Sequence, residues 1–121
     1  MGAVALDASV AIGFLDPTDA HHERAVASLR ETDQDELLIA ASVYSEILVW
    51  PLAKGHGDLV EEFIDGLRVE VVPLSREIAR GAAELRAKHR ALRLADAFVL
   101  ATARYREAAL LTFDDRLSRF A

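Results

Sequence analysis

Four carboxylates stand out by where they sit. Asp7 closes the apolar run Ala3-Val4-Ala5-Leu6, and Asp114 follows the run Ala108-Ala109-Leu110-Leu111-Thr112 by two residues. Glu46 is the one charged residue between Ala41 and Ala53, and Asp96 lies at the start of an Ala-rich stretch. A carboxylate set among apolar neighbours loses hydration and is costly unless it meets a cation. Converging carboxylates also repel one another, which calls for a divalent ion, and an all-oxygen donor set suits Mg²⁺ or Mn²⁺ better than Zn²⁺. Each acid has an ordinary reading too. Asp7 and Asp96 could cap helices, Asp114 could be a turn residue beside Asp115, and Glu46 could lie on the exposed face of a misread helix. Caps do not account for Glu46, nor for a meeting of all four at one edge.

Other chemistries lack their residues. The chain has no cysteine. His21 and His22 are adjacent and face different ways, His56 sits between glycines, and His89 follows a basic segment, so all four read as surface or partly packed. There is no Ser-His-Asp pattern, phosphate-binding loop or dinucleotide fingerprint.

Alternating strands and helices are expected to position the acids. Ala3–Leu6 reads as a buried strand, followed by a helix through Phe14 that Asp7 or Ser9 caps. A second helix, capped by Asp19, runs to about Arg30 with His22, Ala25, Val26 and Leu29 inward. Leu37–Ala41 is the second strand. Ser42 opens an apolar helix that Pro51 should kink or break near Trp50. Asp58 caps the next helix. Val69–Leu74 reads as a strand near a sheet edge because it carries Glu70. Ser75 opens a helix that buries Ile78, Ala82 and Leu85, with Leu92 also inward. A helix from about Leu94 leads to the strand Ala108–Thr112 and a terminal stub. Such alternation predicts an α/β fold, a parallel sheet with right-handed crossovers and helices on both faces. Ligands then bind at the C-terminal strand ends.

With 121 residues, 52% hydrophobic and 28% charged, the sequence fits one domain over residues 1–121. Disordered, collagen-like and disulfide-scaffold classes are excluded. No apolar run approaches the ~18–20 residues that span a bilayer, and the first residues lack a signal peptide's basic start. A cytoplasmic protein is expected, with no membrane. The net charge of −6 argues against a protein that simply coats nucleic acid. Residues 1–75 hold 4 basic against 14 acidic residues, and residues 76–121 hold 10 against 6. The basic third could steer a polyanion, or be solvated helix surface.

These stretches together resemble the PIN-domain family, most closely the VapC-type ribonuclease toxins of toxin–antitoxin systems. The resemblance rests on Leu6-Asp7-Ala8-Ser9, Ser45-Glu46, Leu92-Arg93-Leu94-Ala95-Asp96-Ala97 and Leu111-Thr112-Phe113-Asp114, in order across essentially the whole chain. It implies a three-layer α/β/α domain with a central parallel sheet of four or five strands, the fifth following the last acidic motif. It also implies an endoribonuclease in which Asp7, Asp96 and Asp114 ligate Mg²⁺ or Mn²⁺. Glu46 would bind a second ion or orient water, and Ser9 and Thr112 would give polar support. Arg86, Lys88, Arg90, Arg93 and Arg116 would guide the RNA. Tyr44, Leu48, Trp50, Leu52 and Phe63, more apolar surface than one domain needs to bury, would receive an amphipathic antitoxin segment. A homodimer would use a separate surface formed partly by the later helices, alone or within a toxin–antitoxin hetero-oligomer. Two rival classes are a non-catalytic interaction module of the same fold and a phospho-accepting receiver domain. The receiver needs a late lysine, and here the last is Lys88.

Overall fold

In a computed structural model, which describes residues 2–121, the elements follow in the order β1 (Ala3–Leu6), α1 (Ala8–Leu15), α2 (His22–Glu31), β2 (Glu36–Ala40), α3 (Ala41–Ala53), α4 (Gly57–Gly66), β3 (Glu70–Val72), α5 (Arg76–Lys88), α6 (Leu94–Tyr105), β4 (Ala109–Leu111) and α7 (Asp115–Ser118). The strands form one parallel sheet in the order β3-β2-β1-β4. The chain moves outward from β1 to β3 and then returns across the sheet to place β4 against the other side of β1. Right-handed crossovers accordingly put α1–α4 on one face and α5 and α6 on the other. The strand order reverses between β1 and β4, the position where open α/β sheets leave a crevice at their C-terminal ends. Asp7 and Asp114 follow those two strands.

Leu6, Leu38 and Ile39 of the strands are fully buried, with Val10, Val43 and Val60 packed on one side and Ile78 and Leu100 on the other. Both faces of the sheet are covered, which is why its strands read as unbroken apolar runs.

Several boundaries differ from the sequence expectation. Asp19 does not cap α2. His21 holds the N-cap position, and Asp19 instead accepts the His21 N–H at 2.8 Å, closing a turn just ahead of the helix. His56 rather than Asp58 precedes α4. Pro51 does not break α3 near Trp50, since the helix runs on to Ala53. Pro51 lies in the last turn, where a missing N–H removes only one bond near a fraying end. The edge strand β3 is shorter than Val69–Leu74, since Pro73 has no N–H for a ladder. Among the described residues the sheet has four strands, and the segment after Asp114 forms α7 rather than a fifth.

The charge that marked β3 as an edge has a structural role. Arg106, just past α6, grips Glu70 through two hydrogen bonds of 2.7 and 2.9 Å. The guanidinium beside Glu70 holds its carboxyl below the usual range. A group whose folded pKa is depressed stabilises above its unfolded pKa, and that contribution is lost as pH falls through the folded value. With Glu70 half exposed, Arg106→Ala is expected to lower stability only slightly near neutrality. Urea melts at a series of pH values should show the difference from wild type vanishing in acid and shrinking in high salt.

Candidate active site

Asp7 occupies the N-cap position of α1, yet its side chain makes no cap bond. Its backbone N–H donates to Leu111 O at 3.0 Å, extending the β1–β4 pairing by one residue. Its carboxylate is 8% exposed, and Oδ2 accepts from Ser9 Oγ at 2.9 Å and Thr112 Oγ1 at 2.7 Å. Each hydroxyl has a single proton and spends it on Asp7. Each then accepts a backbone N–H, Ser9 from Phe113 at 3.0 Å and Thr112 from Asp114 at 3.0 Å. The loop after β4 is thereby tied to the start of α1. Oδ1 of Asp7 takes no hydrogen bond from any described residue.

Asp114 has two parts to play. Its Oδ1 caps α7, accepting from Arg116 N at 2.9 Å and Leu117 N at 3.4 Å. The turn-residue reading therefore holds for one of its oxygens. Asp115 is exposed in the first turn of α7. Asp96 lies half-buried in the first turn of α6, with Arg93 Nε 3.4 Å from its Oδ2. Glu46 projects from α3 as an exposed residue whose carboxyl is only partly shielded from solvent. Its carboxyl is pushed up, first by partial burial and then by the negative charges of Asp7 and Asp96, with Arg93 opposing them. Asp7, Glu46 and Asp96 thus share one electrostatic field, whereas Asp114 is tied to this group only by its backbone N–H on Thr112.

Among the described residues, no three His, Asp or Glu side chains are arranged to hold a metal ion as they stand. Arg93 pairs with Asp96, and the α7 cap occupies one oxygen of Asp114. The donor chemistry nonetheless fits a hard cation: oxygen ligands only, mutually repelling, with one oxygen of Asp7 fixed and the other unengaged. One further polar atom lies nearby in sequence. Ser42 Oγ, one turn before Glu46 on α3, is buried without a hydrogen-bond partner, the kind of atom an ordered water satisfies.

The basic residues divide. Arg93 and Arg116 line a small cavity of about 40 Å³ together with Asp96, Leu117 and Phe120. Lys88 lines a different groove, between α5 and α6, with Glu84 and Arg104. Arg86 and Arg90 are exposed. On the α3–α4 surface, Trp50 is 73% exposed, and Val49, Leu52 and Leu59 are also open to solvent. Tyr44 and Leu48 are half-buried, and the Tyr44 hydroxyl donates to Glu61 at 2.9 Å. Phe63 is a correction. At 5% exposure it belongs to the domain's own core, its ring 5.4 Å from that of Phe14, because α4 must bury one face against α1.

The sequence reading missed a contact beside the acids. Phe113, between Thr112 and Asp114, packs against His21, and the Arg24 guanidinium lies 4.3 Å from its ring centroid. His21 and Arg24, three residues apart, share one side of a helical turn, but nothing in the local sequence ties them to Phe113.

A PIN-domain family model matches residues 4–121, and the protein belongs to that family. Among solved structures, the fold is similar to that of the Mycobacterium tuberculosis toxin VapC20, which cleaves the sarcin-ricin loop, with a TM-score of 0.80 and 17% identity over 96% of this chain and 93% of that one. It is also similar to a chain of the Neisseria gonorrhoeae FitAcB structure, with a TM-score of 0.78 and 19% identity over 97% and 91%. A chain of the Rickettsia felis VapBC2 complex bound to promoter DNA gives 0.79 and 16% over 98% and 92%. No curated protein matches significantly by sequence. The family excludes the receiver-domain alternative.

The raised carboxyl of Glu46 yields a stability prediction for the metal-free protein. An acid whose folded pKa is raised destabilises above that pKa, and the penalty disappears below its unfolded value. In EDTA, Glu46→Gln is therefore expected to be the more stable form at pH 7. Paired urea melts should show its advantage shrinking as pH falls through the raised pKa. An advantage that persists unchanged in acid would separate it from Glu46 ionisation.

Proposed function

We propose that the protein is a cytoplasmic ribonuclease toxin whose acidic edge hydrolyses RNA phosphodiester bonds with Mg²⁺ or Mn²⁺, and which a cognate antitoxin inhibits. The observation that carries this reading is the Asp7 carboxylate, buried at the β1–β4 switch point and held by Ser9 and Thr112, with Glu46 and Asp96 in the same field. A carboxylate held so firmly, without a cation of its own, is a ligand waiting for one. The PIN fold and its similarity to toxin structures support the same reading.

Asp7, Asp96 and Asp114 would hold the cation, with Glu46 on a second ion or on water. When bound, the ion supplies charge neutralisation at the scissile phosphate and acidifies water. The protein's own groups do the rest. Ser9 and Thr112 fix Oδ2 of Asp7, so that little reorganisation is needed on binding. Glu46, in the same field as Asp7 and Asp96, would orient the attacking water or hold a second ion. Arg93 and Arg116 stand beside Asp96 to attract the phosphate backbone, while Arg86, Lys88 and Arg90 extend the basic side further out. Water adds to phosphorus and the P–O3′ bond breaks. The products are a 5′-phosphate and a 3′-hydroxyl that gains a proton.

The exposed Val49, Trp50, Leu52 and Leu59 support an antitoxin contact by an amphipathic segment, with Tyr44 and Leu48 at its margin. A homodimer would use the later helices instead. If Trp50 is the anchor, Trp50→Ala is expected to weaken antitoxin binding by ~2 kcal/mol or more while free-enzyme cleavage persists. Isothermal titration with equal affinity for both forms would remove it from the interface.

Asp7→Asn and Asp96→Asn are each expected to abolish Mg²⁺-dependent cleavage of single-stranded RNA while keeping the circular-dichroism spectrum of the wild type. EDTA should do the same reversibly. Wild-type cleavage by a purified variant, or in excess EDTA, would refute the metal-ribonuclease reading. A wild type that binds antitoxin but never cleaves RNA would favour the non-catalytic module.

A further inference from the structure

A site built from carboxylates must still receive a polyanion, so where its cations stand decides how the substrate lies. On the α6–α7 side, Arg93 and Arg116 flank Asp96. On the opposite face of the sheet, the first turn of α2 carries Arg24, an exposed arginine in the strongly acidic N-terminal half of the chain. Its guanidinium lies 4.3 Å from the centroid of the Phe113 ring. The backbone N–H of Phe113 is in turn fixed by Ser9 Oγ at 3.0 Å. Ser9 also donates to Asp7, so Arg24 is connected to the buried carboxylate through Phe113 and Ser9. His21 packs on the same ring, at a centroid distance of 5.3 Å.

No described carboxylate lies within ion-pairing distance of Arg24, whereas Arg93 is engaged with Asp96 and Arg106 with Glu70. A guanidinium packed on an aromatic ring keeps its charge and the N–H donors at its edge, and loses much of its rotamer freedom beforehand. That combination suits bidentate contact with a phosphate oxygen pair.

We infer that Arg24, braced on Phe113, is a substrate-binding residue that holds an RNA backbone phosphate on the α2 side of the acidic edge. The strand then crosses between two cationic flanks, Arg24 on one and Arg93 with Arg116 on the other. This assignment rests on the ribonuclease reading above. It adds a contact from the acidic half of the chain, where charge balance alone gives no reason to look.

The test is fluorescence anisotropy of a labelled single-stranded RNA without divalent ions, at several salt concentrations, followed by steady-state cleavage in Mg²⁺. Arg24→Ala is expected to weaken binding several-fold and to reduce the slope of log K against log salt by about 0.7, the value for one phosphate on a single strand. KM should rise by more than kcat falls, which a purely structural role would not produce. Arg24→Lys should restore the slope but not the full affinity, since an ammonium keeps the charge and loses the planar fork. Arg30→Ala removes the same charge from the far end of α2 and should match wild type. Equal affinity and slope for wild type and Arg24→Ala would overturn the assignment while leaving the ribonuclease reading intact. An Arg24→Lys form that equals wild type would overturn the braced, bidentate geometry. Wild type that neither binds nor cleaves RNA would overturn the ribonuclease reading and this assignment with it.

Discussion

A buried carboxylate has to be compensated, and Asp7 is compensated by two hydroxyl protons rather than by a positive charge. An arginine there would have stabilised the carboxylate and also closed the site to any other cation. Ser9 and Thr112 satisfy one oxygen only and leave the charge intact. They also pass the constraint onward, because each hydroxyl accepts an N–H from the segment after β4. The end of β1, the start of α1 and the turn into α7 are thereby fixed against one another. The positions of Phe113 and Asp114 follow from that arrangement.

The rest of the charge pattern answers to the same constraint. Glu46 and Asp96 approach Asp7 from helices on opposite faces of the sheet, so neither can be relieved by a shift within its own layer. The repulsion is visible in Glu46, whose carboxyl is pushed up by burial and by its two acidic neighbours. That repulsion raises the free energy of the site, and on the proposed reading a bound cation would relieve it. Sites that hold like charges together commonly cost stability. Here the cost is met by a well-packed sheet with fully buried Leu6, Leu38 and Ile39 and by peripheral ties such as Arg106 to Glu70.

Much of this was legible in the residue pattern, for identifiable reasons. Strands buried on both faces write themselves as apolar runs, so the sheet and the acids that end its strands could be located. Glu70 marked β3 as an edge because a charge is tolerable only there. Helix starts were less legible, since Asp19 and Asp58 look like caps while the turns at His21 and His56 take that role. The fate of Pro51 depended on its distance from the helix end, which periodicity does not encode. Among the candidate interface residues, Phe63 and Trp50 look alike as aromatic residues on neighbouring helices. Only the packing of α4 against α1 separates the buried ring from the exposed one. The pairing of Arg24 with Phe113 joins residues 89 positions apart, and nothing local announces it.

The placement of Glu46 on α3 has a consequence for inhibition. Val49 and Trp50 follow Glu46 by three and four residues, so all three lie along the same side of the helix. The exposed apolar patch and the acidic site are therefore neighbours on one rigid element, not separate regions that need a conformational relay. On the proposed reading, a segment that seats its apolar side chains on Trp50 and Leu52 ends within about one helical turn, ~5 Å, of the Glu46 backbone. A basic side chain at that end would find three carboxylates already crowded by their own repulsion. It would supply the positive charge that the cation otherwise provides, and would compete with it directly. On that reading, apolar contact would give such a partner its hold, and the crowded carboxylates would give it a place to put a cation of its own.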